Sequence, residues 1–227
     1  MNKQALYSFL SEFISENKKN KFEEIILQRT RYLTVVLEDI FQPHNASAVL
    51  RSCDCFGIQD IHIIENNNKY EINPDVALGS SKWLSLFRYN QTNDNTLSCI
   101  QHLKSSGYSI VATTPHKDDF TPEQLPLDKK IALVFGTEKE GLTKNAIGMA
   151  DSFVKIPMYG FTESLNISVS VALLVRSITE RLHNSEYNWQ LTEKENLDVR
   201  IAWAKNVVKK SNLLEKEFFN RIINRKE

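Results

Sequence analysis

Cysteine is scarce in this 227-residue chain, and the positions of its three cysteines argue against two kinds of site. They stand at 53, 55 and 99, so their number is odd and no Cys-x-x-Cys pair is present. An odd count without that spacing indicates neither a disulfide framework nor a structural zinc site. We therefore expect free thiols in a reducing compartment.

Long apolar runs are also missing. The first residues, MNKQALYSFLSEF, lack the apolar segment and the cleavage site of a secretory signal. No later window approaches the length of apolar sequence that a transmembrane helix needs. The sequence predicts a soluble, cytoplasmic protein that does not enter a membrane.

Neither sign of charge is in excess, because 28 Lys and Arg balance 28 Asp and Glu. The balance changes along the chain, however. Residues 1–31 carry six basic and four acidic side chains, residues 192–227 carry nine and six, and the middle carries thirteen and eighteen. Basic ends fit contact with a polyanion, but solvated helix faces would give the same counts, and charge alone does not separate the two.

Two glycine-rich nucleotide signatures are absent as well. The chain has neither the Gly-x-Gly-x-x-Gly of dinucleotide-binding folds nor a Gly-x-x-x-x-Gly-Lys-Ser/Thr phosphate loop. The segment 136-GTEKEG-141 has few glycines, and its two glutamates stand where a phosphate would lie. That loop suits a nucleoside or a cationic ligand better than a pyrophosphate.

What the sequence does contain is a regular alternation of short apolar strands and helical segments. Strands are predicted at 33–40, 60–65, 85–89, 109–114, 131–136 and 152–158, and helices at 5–29, 45–57, 94–106, about 166–183 and within 192–227. This alternation predicts an α/β fold with a parallel sheet and helices on both faces. We expect a sheet domain at 31–185 between helical extensions at 1–30 and 186–227.

Polar stretches follow several of these strands, and they are the candidate site. They are 42-QPHNASAVLR-51, 113-TTPHK-117, 136-GTEKEG-141 and the stretch that begins 156-IPMYGFTESLN-166. Ligands of open parallel sheets bind beyond the carboxyl ends of the strands. The sequence therefore predicts that separate segments converge on one ligand there.

Two pairs of side chains in these stretches have alternative interpretations. Asn45 can be the N-cap of a helix on which Arg51 is a surface residue, or its amide can meet the long arginine side chain from the next turns. The six-residue separation turns by about 600° at ~100° per residue, so the two do not share a face. In the same way, Ser164 can be an N-cap with Asn166 in the first turn, or both can serve a ligand.

Three motifs in these stretches resemble the signatures of the SPOUT-class RNA 2′-O-ribose methyltransferases. They are H-N-x-S-A-V-x-R at 44–51, G-T-E-x-x-G at 136–141 and I-P-M-x-G-x-x-x-S-L-N-x-S-V-S-x-A at 156–172. The resemblance runs from about residue 29 to 184, and the third motif is the most specific.

The resemblance implies a deep trefoil knot in the C-terminal part of the sheet domain, with S-adenosylmethionine bound in it. General rules of chain topology would argue against a knot, so only the resemblance carries this expectation. By similarity, backbone groups at Thr113, Gly136, Ile156 and Leu165 hold the adenosine and methionine parts. Gly160 would let its loop pass close to the ligand without a side chain.

The resemblance also implies catalytic roles. Arg51 would stabilise the alkoxide that develops from the ribose 2′-hydroxyl, or act as its base, and Asn45 would orient it. Glu138 would fix a neighbouring loop or Arg51. Ser164 and Asn166 would position the cofactor or a substrate phosphate, and no metal is expected.

The layout most resembles that of the tRNA (guanosine-18) 2′-O-methyltransferases, the TrmH family, which implies a tRNA substrate and a homodimer. Arg200, Lys205, Lys209 and Lys210 in the C-terminal extension would contact tRNA phosphates. Methylation of ribosomal RNA or of another tRNA position is the alternative, and an idle RNA-binding relative is the non-enzymatic one. Glu163 departs from the pattern, since many relatives have a neutral residue there.

Overall fold

The computed structural model describes residues 3–117 and 119–223, which divide into two compact units. Residues 30–189 form the first unit, which we call the sheet unit. The described residues of 1–29 and 190–227 form the second, which we call the end unit. The outermost residues of both predicted extensions, 1–2 and 224–227, lie outside the described residues.

A six-stranded parallel sheet organises the sheet unit, as the strand–helix alternation predicts. Its order is β3-β2-β1-β5-β4-β6. The strands are β1 (Leu33–Glu38), β2 (Asp60–Ile64), β3 (Ser85–Tyr89), β4 (Tyr108–Thr113), β5 (Lys130–Phe135) and β6 (Ser152–Val154). The central strands are buried along most or all of their length, which is typical of parallel sheets covered on both faces.

Alternate residues of each strand supply separate cores on the two faces of the sheet. Val35 and Leu37 belong to the core that also contains residues of α3 (Pro43–Cys55) and α7 (Ile167–His183). Val36 lies in the other core, with residues of α5 (Asn95–Ser105) and α6 (Lys144–Met149). Because successive side chains of a strand point to opposite faces, both faces of this sheet are apolar. Helices cover both faces, as the sequence predicts.

Two short helices complete the sheet unit: α4 (Pro74–Ala77) and a 3-10 helix at Ser80–Lys82. Both lie in the segment 66–84, whose apolar residues have no regular period. The last predicted strand, 152–158, is shorter than expected, because β6 ends at Val154. Pro157 lacks the backbone N–H that a continuing strand would need.

The strand order reverses direction between β1 and β5. From β1 the chain adds β2 and β3 on one side, and β4, β5 and β6 lie on the other. A parallel sheet opens a crevice at such a point, beyond the carboxyl ends of the strands. The loops after β1 and β5 are therefore neighbours, although Leu37 and its partner Phe135 are far apart in the sequence.

The end unit is helical and has a core of its own. It contains α1 (Lys3–Ser11), α2 (Glu16–Ile26), α8 (Glu193–Val207) and α9 (Ser211–Ile223). Its buried side chains include Leu6, Leu10, Phe22 and Trp203, and the rings of Phe22 and Trp203 lie 5.3 Å apart.

The single helical segment expected at 5–29 is in fact two helices. The first ends in a turn in which the Ile14 N–H donates to the Ser11 carbonyl at 3.1 Å, and extended Ser15 is the N-cap position of the next. The capping box of Thr192 and Glu195 starts α8. No helix of the described residues is long and apolar enough to cross a membrane.

Candidate functional site

A cavity of about 320 Å³ lies at the carboxyl ends of β4, β5 and β6. Three segments supply most of its lining, and Ile147 of α6 adds to it. The segments are residues 113–116 after β4, residues 135–142 at the end of β5 and after it, and residues of 154–174 around the start of α7. Thr113, Gly136, Ile156 and Leu165, the four predicted cofactor residues, are all in this lining. The structure thus brings together segments that the sequence predicted to converge.

The turn after β5 is closed so tightly that it needs glycine at two positions. Thr137 and Gly141 exchange backbone hydrogen bonds at 3.1 and 3.0 Å. Gly141 has a φ of +69°, which favours glycine. A Cβ on Gly136 would overlap the carbonyl group of Gly141 and the amide nitrogen of Leu142. The cavity wall at Gly136 is therefore bare backbone.

Thr113 lines the cavity, and its side chain is hydrogen-bonded within the sheet. Its hydroxyl donates to the Val134 carbonyl at 2.9 Å, across the pair of strands β4 and β5. This bond occupies the polar side-chain atom. Contact of the Thr113 backbone with the cofactor stays a prediction.

Three of the predicted catalytic residues form one hydrogen-bonded cluster. The Asn45 side-chain amide donates to the Glu138 carboxylate and, at 3.0 Å, to Gln42 Oε1. Asn45 Oδ1 accepts from Asn166 Nδ2 at 3.1 Å. Asn45 lies on α3, Glu138 in the turn after β5 and Asn166 at the start of α7. The cluster cross-links three segments that are distant in the sequence.

The helix that carries Asn45 begins earlier than the sequence suggested. Gln42 is the N-cap, with Pro43 in the first turn, so the prediction of Asn45 as N-cap is wrong. Proline is well suited to the first turn, where a missing N–H costs nothing. Asn45 is instead buried, with only 4% of its surface exposed, and its side chain points into the cluster. The helix ends at Cys55, and Gly57 follows the C-cap Phe56 with a φ of +78°.

Arg51 stands apart from this cluster. It is exposed on α3 and is not part of the cavity lining. Within residues 3–117 and 119–223 it forms no hydrogen bond and no ion pair. The expected orienting role of Asn45 therefore does not act through a direct hydrogen bond to Arg51 in this structure.

The start of α7 shows which residue caps that helix. Asn166 is the N-cap, and its Oδ1 accepts from the Ser168 backbone at 2.9 Å. Ser164 is not the cap; it is exposed and lines the cavity, as does Glu138. The interpretation of Ser164 as the N-cap is therefore wrong, and a ligand role for Ser164 and Asn166 stays a prediction.

Gly160 has no local requirement for glycine. Its φ is not positive, and a Cβ there would meet no atom within 4 Å. Its neighbours Tyr159 and Phe161 are almost fully exposed. A role for Gly160 in close approach to a ligand stays a prediction.

One buried carboxylate near the site was missed by the sequence reasoning. Glu38, at the end of β1, is 1% exposed. It accepts hydrogen bonds from the Thr143 backbone N–H at 2.9 Å, the Thr143 hydroxyl at 2.8 Å and the Thr96 hydroxyl at 2.6 Å. The signal was an acidic residue at the end of an otherwise apolar strand, 33-LTVVLEDI-40. Glu38 fixes the residue that follows the cavity turn.

Burial shifts the pKa of groups that lie away from this cavity. Burial, with a smaller contribution from His102, lowers the pKa of His62 to about 4, and burial raises the pKa of the Cys99 thiol to about 12. His62 Nδ1 lies 3.1 Å from the Tyr89 hydroxyl between strands β2 and β3. These are groups of the packed interior. In the described part of the chain, no group of His, Cys, Asp and Glu is arranged to hold a metal ion.

The chain is similar in sequence to known proteins over the residues that form the cavity and the cluster around Asn45. The profile of the SpoU rRNA Methylase family matches residues 32–176. The tRNA (guanosine(18)-2'-O)-methyltransferase of Borreliella burgdorferi is 46% identical over 206 residues, which are 91% of this chain and 93% of the relative. A protein of the same name from Thermus thermophilus is 32% identical over 161 residues, or 71% and 81% of the two chains.

Solved structures agree with these sequence matches. The crystal structure of the A. aeolicus TrmH/SpoU tRNA modifying enzyme matches with a TM-score of 0.75 and 27% identity. The match covers 86% of this chain and 98% of that one. The AdoMet-bound rRNA methyltransferase of Sinorhizobium meliloti, at 21% identity and a TM-score of 0.58, shares the fold. Residues 32–176 include the whole lining of the cavity and the cluster around Asn45.

Proposed function

This chain belongs to the SpoU rRNA Methylase family, and from that membership we propose that it methylates a ribose 2′-hydroxyl of tRNA, with guanosine 18 of the D-loop as the target. The relative with 46% identity over 91% of this chain carries that activity in its name. The observation that carries the proposal is the cavity itself. Its lining contains the residues predicted to hold the methyl donor, beside a cluster formed by Asn45, Glu138 and Asn166.

The cavity fits S-adenosylmethionine. Gly136 offers a wall without a side chain, since a Cβ there would overlap the opposite strand of the turn. The floor is apolar, with Leu142, Val154 and Leu174, and can take the face of an adenine ring. Thr113, Gly136, Ile156 and Leu165 would hold the cofactor. When bound, it supplies an electrophilic methyl group on a positively charged sulfur.

Arg51 is the residue we propose to act on the ribose oxygen. A 2′-hydroxyl ionises little at neutral pH, so stabilising the developing alkoxide is the main demand of the reaction. Arginine stays protonated in proteins, which favours electrostatic stabilisation over proton abstraction by Arg51. Its exposed position, with no ion pair to a described residue, leaves the guanidinium available to RNA.

Asn45, Glu138 and Asn166 act, in this proposal, as positioning residues. Their hydrogen bonds join the start of α3, the cavity turn and the N-cap of α7. A hydrogen-bonded cluster of this kind holds its segments in a fixed arrangement, and such order before binding reduces the entropy cost of the reaction. Ser164, exposed in the lining, is free to contact the cofactor or an RNA phosphate.

Ion pairs within the end unit engage two of the four basic residues that were expected to bind RNA. Arg200 pairs with Glu23 at 2.7 Å, and Lys205 pairs with Glu215 at 2.6 Å. Lys209 and Lys210 are exposed and form no ion pair within the described part of the chain. We therefore assign the phosphate contacts to these two lysines rather than to all four.

A homodimer accompanies this function in our proposal. Exposed apolar side chains occur on α7 and the loop before it: Tyr159, Phe161, Leu165, Val169 and Leu173. Exposed apolar surface of this kind marks a site of interaction with another protein chain. Sedimentation equilibrium should give twice the mass of the 26.2 kDa chain. A tRNA substrate also fits the cytoplasmic location predicted from the sequence.

The test is methyl transfer to unmodified tRNA transcripts, followed by mapping of the modified nucleotide. We expect one methyl group per tRNA on the 2′-oxygen of guanosine 18. A transcript with 2′-deoxyguanosine at that position is the matched control and should accept none. Incorporation into ribosomal RNA instead would support the alternative substrate. Tight tRNA binding without any transfer would identify an idle relative.

A further inference from the structure

Glu163 lies in the lining of the cavity, on the irregular segment between β6 and α7. Its side chain is exposed to solvent. It takes part in no hydrogen bond or ion pair with residues 3–117 or 119–223, so its charge is not neutralised by a described neighbour. Glu163 departs from the family pattern, in which many relatives have a neutral residue at this position. The proposed reaction gives it no role.

The cavity that contains Glu163 is acidic. Glu138 and Glu140 line it too, against the single lysine Lys139 and the single histidine His116. The carboxylate of Glu138 is already engaged by Asn45. The side chains of Glu140 and Glu163 take part in no hydrogen bond or ion pair with a described residue.

We propose that Glu163 is a specificity-determining residue that favours the methyl donor over the demethylated product in this cavity. The inference rests on the proposed function, because it needs a sulfonium donor. In the reaction the carbon–sulfur bond breaks, its electron pair stays on sulfur and the methyl group bonds to the ribose oxygen, which loses its proton to solvent. The bound nucleoside therefore loses one positive charge, and a nearby carboxylate loses its attraction.

The size of the effect follows from the exposure of the group. Two unit charges about 4 Å apart attract by about 1 kcal/mol in bulk water, which corresponds to about fivefold in a dissociation constant. The attraction of an exposed carboxylate is close to this bulk-water value, because solvent screens it more strongly than a protein interior would. A preference of that size would reduce product inhibition, because the donor would compete better with S-adenosylhomocysteine for the cavity.

The experiment compares dissociation constants from isothermal titration calorimetry for the full chain and for Glu163→Gln. The ligands are S-adenosylmethionine, S-adenosylhomocysteine and sinefungin, which carries an amine near the position of the sulfonium. For Glu163→Gln we expect S-adenosylmethionine and sinefungin to bind about fivefold more weakly, with S-adenosylhomocysteine unchanged. Glu140→Gln is the matched control, and we expect a smaller change of the ratio.

Three outcomes would overturn the proposal. Equal weakening of donor and product would mean that Glu163 contacts a group that both share. Unchanged binding of all three ligands would place Glu163 in solvent. An equal change in Glu140→Gln would assign the preference to the overall charge of the cavity.

A second measurement needs no variant. For the wild-type chain, added salt should weaken binding of S-adenosylmethionine more than binding of S-adenosylhomocysteine, because screening acts on the extra charge. Equal salt dependence would contradict the proposal. A wild-type chain that binds none of the three nucleosides would instead sink the proposed function itself.

Discussion

At the scale of single residues, two glycines of the candidate site differ in what surrounds them. Gly136 faces the backbone of Gly141 and Leu142 so closely that a Cβ cannot be accommodated without a shift. Gly160 has open space and an ordinary φ. A glycine in a sequence motif does not reveal which of these applies, because both fit the same family pattern.

Gly136→Ala should therefore impair cofactor binding, and Gly160→Ala should leave the fold unchanged. The new methyl group at 136 forces the turn open, so we expect S-adenosylmethionine to bind at least about tenfold more weakly and unfolding to cost about 1–3 kcal/mol less. Calorimetric titration and thermal melting measure the two effects. Equal behaviour of both variants would contradict the contacts of Gly136. Loss of binding in a stable Gly160→Ala would support the predicted close approach of that loop to the ligand.

Arg51→Ala should separate chemistry from cofactor binding. The residue is outside the cavity lining, so the affinity for S-adenosylmethionine should stay at the wild-type value. Removal of a group that stabilises a transition-state oxyanion typically costs about 10²–10³ in kcat, and we expect a loss of that order. Single-turnover methylation of tRNA measures it. Arg51→Lys, which retains the charge without the planar fork, should be intermediate. Normal methylation by Arg51→Ala would refute its catalytic assignment.

At the scale of helices and strands, much of the sheet unit could be predicted because its signals are local. The apolar runs of β1, β2 and β5 are continuous and buried, and α5 starts at Asp94, whose side chain accepts from the Leu97 N–H at 2.8 Å. The first turn of α3 was misassigned because Asn45 has the residue type of an N-cap but a tertiary role. The fate of its amide depends on Glu138 and Asn166, which no local pattern connects to it.

Substitution of Glu38 tests whether its carboxylate holds β1, α5 and α6 together. Its oxygens accept from Thr143, at the N-cap of α6, and from Thr96, on α5, while Glu38 itself ends β1. In Glu38→Gln one acceptor oxygen becomes an NH₂ donor that faces another donor. We expect the free energy of unfolding to fall by about 1–3 kcal/mol.

Urea denaturation, followed by tryptophan fluorescence, measures the effect of Glu38→Gln. Thr96→Val is the control, because it removes one of the three hydrogen bonds to Glu38, together with the bond from Asn66 Nδ2 to the Thr96 hydroxyl, and leaves both bonds from Thr143 to Glu38. It should cost less than Glu38→Gln. A Glu38→Gln protein as stable as the wild type would show that the three hydrogen bonds contribute little.

At the scale of the whole molecule, the sequence did not predict that the two chain ends form one unit. Their apolar residues at helical spacing predicted helices, but not that Lys3 would pair with Asp198 or that Arg200 would pair with Glu23. These contacts join residues almost a whole chain length apart. They also change the expected RNA contacts, since Arg200, which the family resemblance assigned to tRNA phosphates, is paired with Glu23.

A double variant, Lys209→Gln with Lys210→Gln, tests the reassigned phosphate contacts. Each phosphate contact adds about one unit to the slope of log K against log salt, so we expect the slope to fall by about two with S-adenosylmethionine affinity unchanged. Filter binding of tRNA over a range of salt concentrations gives the slope. Lys129→Gln removes an exposed lysine at the amino end of the sheet, next to β5, and should leave the slope unchanged. An unaltered slope in the double variant would exclude both lysines.

The order of the strands also bears on how the chain is made. Strand β5 lies between β1 and β4, and Leu33 of β1 is paired with Ile131 of β5. During synthesis, the inner edge of β1 therefore has no partner until the ribosome has released residues beyond 135. Such late, long-range pairing slows folding and leaves an open strand edge on which nascent chains can aggregate. We expect truncation before β5 to yield insoluble protein and chaperone availability to govern the yield of the full chain.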